Sequence, residues 1–194
     1  MPKRVLIVQG HPDDNRSHLC HALADAYADG VIESGGQTRR VHIADLNFPI
    51  LRRQSDFETG QPPDALREAL ADIAWCEHIV IVFPLWLGGA PALLQAFLEQ
   101  TMRPGHAFRY LDAGRTQTML KGRSARVVVT MGMPAFVYRW WFMAHGVRRL
   151  SRNILGFVGF SPVRETMFGM VSTATEATRA KWLAQMRAVG FKGV

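Results

Sequence analysis

The sequence predicts an α/β fold, a three-layer sandwich around a five-stranded parallel sheet in the order 2-1-3-4-5. Two observations predict it. Five apolar, β-branched runs alternate with helix-period segments along the whole chain, which implies parallel strands joined by right-handed crossovers. The first, third and fourth runs also lack polar alternation, as strands do when helices cover both faces of their sheet.

The first strand reads Arg4 to Val8 and ends in Gly-His-Pro. Ser17 stands just ahead of the apolar periodicity of Leu19, Leu23 and Ala26, where it reads as the N-cap of a helix running to Ser34. Thr38 to Ile43 is the second strand and Asp64 to Trp75 the second helix. His78 to Phe83 is the third strand, followed by a turn and a helix from Ala90 to Met102 with Pro91 in its first turn. Arg126 to Thr130 is the fourth strand, and Val137 to Leu155 reads as one long helix. Val163 to Met170 and Thr175 to Ala188 complete the set as strand and helix. No linker divides the chain, so a single domain over 1–194 is expected.

Composition narrows the function classes. A 48% hydrophobic share with 20% charged residues is that of a folded globular chain. The apolar runs are broken by Pro and Gly, and no transmembrane span is expected. The amino terminus lacks the apolar stretch and cleavage site of a secretory signal, which makes the cytoplasm the expected compartment. Cys20 and Cys76 are far apart and outside any C-x-x-C pair, so reduced buried thiols are expected. The net charge of +7 suits attraction of anionic cofactors. Nucleic acid is not an expected partner, because no helix-turn-helix, zinc or RNA-binding motif accompanies that charge.

In a sheet of this order, ligands bind beyond the carboxyl ends of the strands where the order reverses. That places the chemistry in three loops, GHPDDNRS, PLWLGGAP and MGMPAFVYRWWFMAHG. The first lacks both the dinucleotide fingerprint and the Walker pattern. Its Ser17 hydroxyl and the free amides of the following helix could still hold a phosphate, with His11 adding a hydrogen bond; the plainer reading is a capped helix after a solvated turn. His18, Cys20 and His21 are too few for a closed metal site, and no metal is expected. In the second loop, Trp86 offers a flat surface and Gly88 and Gly89 permit close backbone approach, although a core tryptophan under a tight turn fits as well. The third loop carries Thr130 and Gly132, then Phe136, Tyr138, Trp140, Trp141, Phe142 and His145. Such a cluster could bind a flat substrate and move protons, or pack a helix or a dimer interface.

Taken together, VLIVQGHPDDNRS, ADLNFPI, FPLWLGGAPALLQAFLEQTMRPGHAF, TMG and LGFVGFSPVRETMFGMVS resemble the flavodoxin-like NAD(P)H:quinone oxidoreductases, the DT-diaphorase and drug-activity modulator family. The stretch from Phe83 to Phe108 is the most diagnostic. The resemblance implies a cytoplasmic homodimeric flavoprotein that binds FAD, or alternatively FMN, and carries hydride from NAD(P)H to quinones or similar flat acceptors by ping-pong turnover. It implies that His11, Ser17, His18 and Leu19 hold the phosphates, that Pro84, Leu85, Trp86 and Leu87 cradle the isoalloxazine ring, and that Thr130 and Gly132 close its other side. Tyr138 and His145 match the pair that stabilises charge during hydride transfer. A second reading from the same resemblance is a regulatory subunit docked on a membrane transporter through Arg148, Arg149 and Arg152; a third is an azo- or nitroreductase. The sequence departs from the family at Met131-Gly132-Met133-Pro134, where Gly-Gly is usual, at Gln95 and Gln100, which replace Lys and Arg, and in the bulk of Trp140 and Trp141.

Overall fold

The computed structural model describes residues 3–193. The central sheet contains β1 (Arg4–Gln9), β2 (Gln37–His42), β3 (His78–Pro84), β6 (Ser124–Thr130) and β7 (Val163–Phe168), in the order β2-β1-β3-β6-β7 with every neighbour parallel. This is the expected 2-1-3-4-5 arrangement. A small antiparallel pair, β4 (Phe108–Tyr110) with β5 (Thr116–Thr118), was not legible as strands. Three residues each are too short to show a period of two.

Alternation sorts the strands between two cores. Val5, Ile7, Val80, Val82 and Val128 face α1 (Leu19–Glu33) and α7 (Glu176–Phe191). Leu6, Val8, Ile79, Ile81, Phe83, Val127 and Val129 face the opposite layer. That layer holds α3 (Arg67–Trp75), α4 (Ala92–Thr101) and the segment from α5 (Ala135–Trp140) through α6 (His145–Arg148) into a π-helical stretch, Arg149–Gly156. A short α2 (Gln54–Glu58) lies in the long connection before α3. The buried Arg103 holds this connection, donating from Nη2 to Gly60 O at 2.8 Å and from Nε to Phe57 O at 3.1 Å. Gln100 donates to Pro49 O at 2.9 Å, and Gln95 accepts from Arg149 Nη1 at 2.8 Å. The two glutamines that break the family pattern thus serve to bind neighbouring segments.

Two expectations are corrected. The single helix from Val137 to Leu155 is broken, because Met143 and Ala144 adopt φ of 54° and 48° in the left-handed region; an L residue there stops a right-handed helix. Ser17 is not the N-cap of α1. His18 occupies that position without a side-chain cap, and Ser17 sits in the turn before it, its amide donating to Asn15 Oδ1 at 3.0 Å.

Helices α1 and α7 touch through two glycines. A Cβ on Gly30 would lie 2.0 Å from Arg187 O, and one on Gly190 would lie 2.1 Å from Tyr27 O. Backbone meets backbone at both points, so no side chain can give way. Gly30→Ala and Gly190→Ala should each destabilise the fold by about 1–3 kcal/mol or more, read as a lower urea midpoint. A pair of near-neutral variants would show that the helices slide freely.

Candidate functional site

The register brings the carboxyl ends of the strands into line. Gln9 pairs with Val82, Pro84 with Thr130, and Thr130 with Phe168. The three loops named from sequence therefore leave the sheet side by side. A Cβ on Gly10 would meet Leu94 Cδ2 at 2.7 Å, so this glycine lets α4 close against the end of β1.

In the first loop, His11 is buried and His18 half-buried, with ring centroids 3.9 Å apart and nearly parallel. His11 Nδ1 accepts from the Asp13 amide at 3.1 Å. The ring proton must then sit on Nε2, leaving His11 a neutral donor. Burial, then the His18 charge, pulls its pKa below the ordinary value. His18 Nε2 pairs with Asp13 Oδ2 at 2.8 Å. The Ser17 side chain makes no hydrogen bond among the described residues and is exposed at the mouth of α1. Leu19 opens the helix; the His21 amide already donates to His18 O at 2.9 Å, which leaves the amides before it without intrahelical acceptors.

In the second loop, Trp86 and Gly89 exchange both backbone hydrogen bonds, at 3.0 and 2.9 Å. Leu87 and Gly88 between them have φ of 46° and 78°, which makes a tight hairpin turn of the kind that needs two left-handed residues. Leu87, whose side chain is fully exposed, holds a left-handed conformation that L residues rarely adopt. Trp86 is 51% exposed and meets His11 edge-on at 6.4 Å between centroids. Leu85 N donates to Thr130 O at 2.8 Å, and Pro84 is half-buried on the same edge.

In the third loop, Thr130 Oγ1 shares a hydrogen bond with Cys20 Sγ at 3.2 Å, joining β6 to α1. Burial pushes the Cys20 thiol up to about 11, so it stays protonated. Met131 turns into the core, and its amide donates to Phe168 O at 2.8 Å. Gly132 is left projecting, with nothing within 4 Å of where its Cβ would be; the same holds at Gly88 and Gly89.

Tyr138, which the resemblance pairs with His145, is engaged by its own protein. Its ring is 1% exposed, its hydroxyl donates to Gly88 O at 2.9 Å, and the same oxygen accepts from the Val147 amide at 3.3 Å. The fold commits this hydroxyl to holding the turn. His145, by contrast, is exposed at the start of α6, and its ring makes no hydrogen bond among the described residues. Gly146 beside it would place a Cβ 2.1 Å from Gly88 O, so only glycine lets α6 meet the turn.

The family described as flavodoxin-like fold matches residues 3–189. The chain belongs to the flavodoxin-like fold family. An FMN-dependent NADH:quinone oxidoreductase of Listeria innocua is 36% identical over 82% of this chain and 83% of its own. Among solved structures, the NAD(P)H:quinone oxidoreductase of Methanothermobacter marburgensis superposes over 100% of both chains with a TM-score of 0.83 at 20% identity. An FMN-dependent NADH-azoreductase of Bacillus anthracis, solved with FMN, does so over 98% of both with a TM-score of 0.77 at 16% identity.

Within this flavodoxin-like chain, the contact made by Gly146 and the placing of His21, weighed from sequence only as a metal ligand, were not foreseen. Gly146 carries no local signal, since its role lies in a contact with a loop far away in sequence. His21 joins His11 and His42 in a row of rings, 6.1 and 5.8 Å between centroids. The three basic Arg148, Arg149 and Arg152 also prove to be divided, because Arg149 turns to Gln95 on α4 while the other two line a separate cavity. No helix among the described residues is long and apolar enough to cross a membrane.

Two outcomes test this geometry. Tyr138→Phe should cost about 1–2 kcal/mol through the lost hydroxyl bonds, and Gly146→Ala about 1–3 kcal/mol by overpacking, both measured by denaturant unfolding. Burial first, then Arg16, His42 and His11, lowers the His21 pKa to about 4, with Asp25 opposing. An unfolded chain then binds a proton that folded His21 refuses, so stability should fall as pH drops from about 6.5 towards 4. In unfolding curves across that range, His21→Phe should flatten the slope; an unchanged slope would contradict the assignment.

Proposed function

We propose that this chain is a flavin-dependent NAD(P)H oxidoreductase that reduces quinones or similar flat acceptors, with FMN as its resident cofactor. The observation that carries the reading is the convergence of three loops on one edge, where Gly88, Gly89 and Gly132 leave open backbone beside the half-exposed Trp86. FMN is favoured over FAD because relatives and a structural neighbour are named for it. When bound, the flavin would accept hydride from the nicotinamide and return two electrons to the acceptor.

The donor set suits a phosphate. The His11 Nε2 proton, the Ser17 hydroxyl, His18 and the amide of Leu19 belong to the loop and first turn at the positive end of α1, although His18 Nε2 is engaged by Asp13. Pro84, Leu85, Trp86 and Leu87 would line one side of a flat ring, and Thr130 and Gly132 the other. His145 would hold or supply a proton where negative charge develops, while Tyr138 fixes the turn that presents Trp86. Acceptor and nicotinamide would occupy the same open face in turn, which gives ping-pong kinetics. Leu87, Phe136, Trp141 and Phe142 are exposed apolar side chains of the second and third loops that a second copy would cover; sedimentation at twice the chain mass is the expected outcome, and a monomer would remove the homodimer.

The purified protein should be yellow, bleach with NADH or NADPH without oxygen, and recolour with a quinone. A colourless protein that refuses FMN and FAD would overturn the reading. Gly132→Val should leave the unfolding midpoint unchanged, since its Cβ meets nothing, yet weaken flavin binding by roughly tenfold or more. Mass spectrometry of the released flavin decides between FMN and FAD.

A further inference from the structure

Beside α6 lies a second concavity, of about 200 Å³, lined by Arg139, Trp140, Ala144, Arg148, Arg152 and Glu165. Three guanidinium groups reach it from three successive elements, α5, α6 and the π-helical stretch. None of the three makes a side-chain hydrogen bond or ion pair among the described residues, although six other arginines there do form ion pairs. Arg148 and Arg152 are four residues apart, a spacing at which like charges repel on a helix face. The one carboxylate present, Glu165 on β7, accepts from Ser151 Oγ at 2.7 Å and leaves the cavity net positive.

Position gives this charge a meaning. Ala144 lines the cavity, His145 follows it, and Gly146 packs on the Gly88 carbonyl of the candidate flavin loop. The cavity wall and the open catalytic edge are therefore successive residues of one segment. Trp140, 72% exposed, adds a flat apolar wall. A dianionic phosphate beside an aromatic surface, on a molecule whose other end reaches the sheet edge, matches this set. Arginine forks suit phosphate oxygens in pairs.

We infer that Arg139, Arg148 and Arg152, with Trp140, form a site for the ribose 2′-phosphate of NADPH, which makes the enzyme prefer NADPH to NADH. The inference rests on the oxidoreductase reading above. It names a specificity that the NADH-dependent relative's name does not carry.

The test uses the flavin-loaded protein. Steady-state KM and kcat are measured for NADPH and NADH with one soluble quinone at low ionic strength, in the wild type, in Arg148→Ala/Arg152→Ala and in Arg148→Lys/Arg152→Lys. The alanine pair should raise KM for NADPH by roughly tenfold or more and leave NADH within about twofold, with the lysine pair in between. Added salt should weaken NADPH more than NADH. Equal losses for both nucleotides would place the pyrophosphate in the cavity, and no loss would leave it empty; either result overturns the inference.

A binding arm needs no turnover, so it separates failure of this site from failure of the enzyme reading. Adenosine 2′-monophosphate is titrated against tryptophan fluorescence, with adenosine 5′-monophosphate and inorganic phosphate as comparisons. Tighter binding of the 2′-phosphate, lost in the alanine pair while that variant keeps the wild-type secondary structure, supports the site. Equal binding of all three would mark a free phosphate site and overturn it.

Discussion

The contact on which the site depends is made by main chain. The Gly88 carbonyl receives the Tyr138 hydroxyl at 2.9 Å while Gly146 presses its bare Cα side against the same group. Through it, the turn after β3 is fixed by the segment after β6. The same turn is tied to β6 by Leu85 N on Thr130 O, and Thr130 is tied to α1 through Cys20. Three loops from distant parts of the chain thus behave as one rim. A rim held this way can leave Trp86 and three glycines exposed without collapsing over them.

Charge is distributed around that rim with a similar economy. The pKa values of His11, His21 and His42 are lowered by burial first, then by His18 for His11 and by Arg16 for His21 and His42, so these rings offer hydrogen bonds rather than a fixed positive charge. Fixed charge is supplied instead by arginines, which do not titrate in the accessible range. Two kinds of polar surface therefore flank the segment after β6 and the mouth of α1, one made of hydrogen-bond donors and a helix end, the other of guanidinium groups.

Sequence periodicity was a sound guide wherever an element is long enough to repeat. The five sheet strands and α1, α3, α4 and α7 lie within a few residues of their expected places, because burial on one or both faces imposes a pattern over many residues. It was a poor guide between Val137 and Leu155. There the apolar spacing is helical throughout, yet tertiary packing forces Met143 and Ala144 into left-handed conformations so that α6 can reach Gly88. Tyr138 shows the same limit at the level of a side chain, since nothing local says whether a tyrosine faces a ligand or its own protein.

The sequence by itself determined the layer architecture, the strand order and the three loops that share the carboxyl edge, because these follow from alternation and chirality. Its resemblance to a family singled out His11, Ser17, Trp86 and Gly132 as candidates on that edge. Only the tertiary structure decided that Tyr138 serves the turn, that Gly146 must lack a side chain, and that Arg148 and Arg152 part from Arg149. Each of these depends on what lies across a contact between residues far apart in the chain, and a one-dimensional pattern carries no record of that distance.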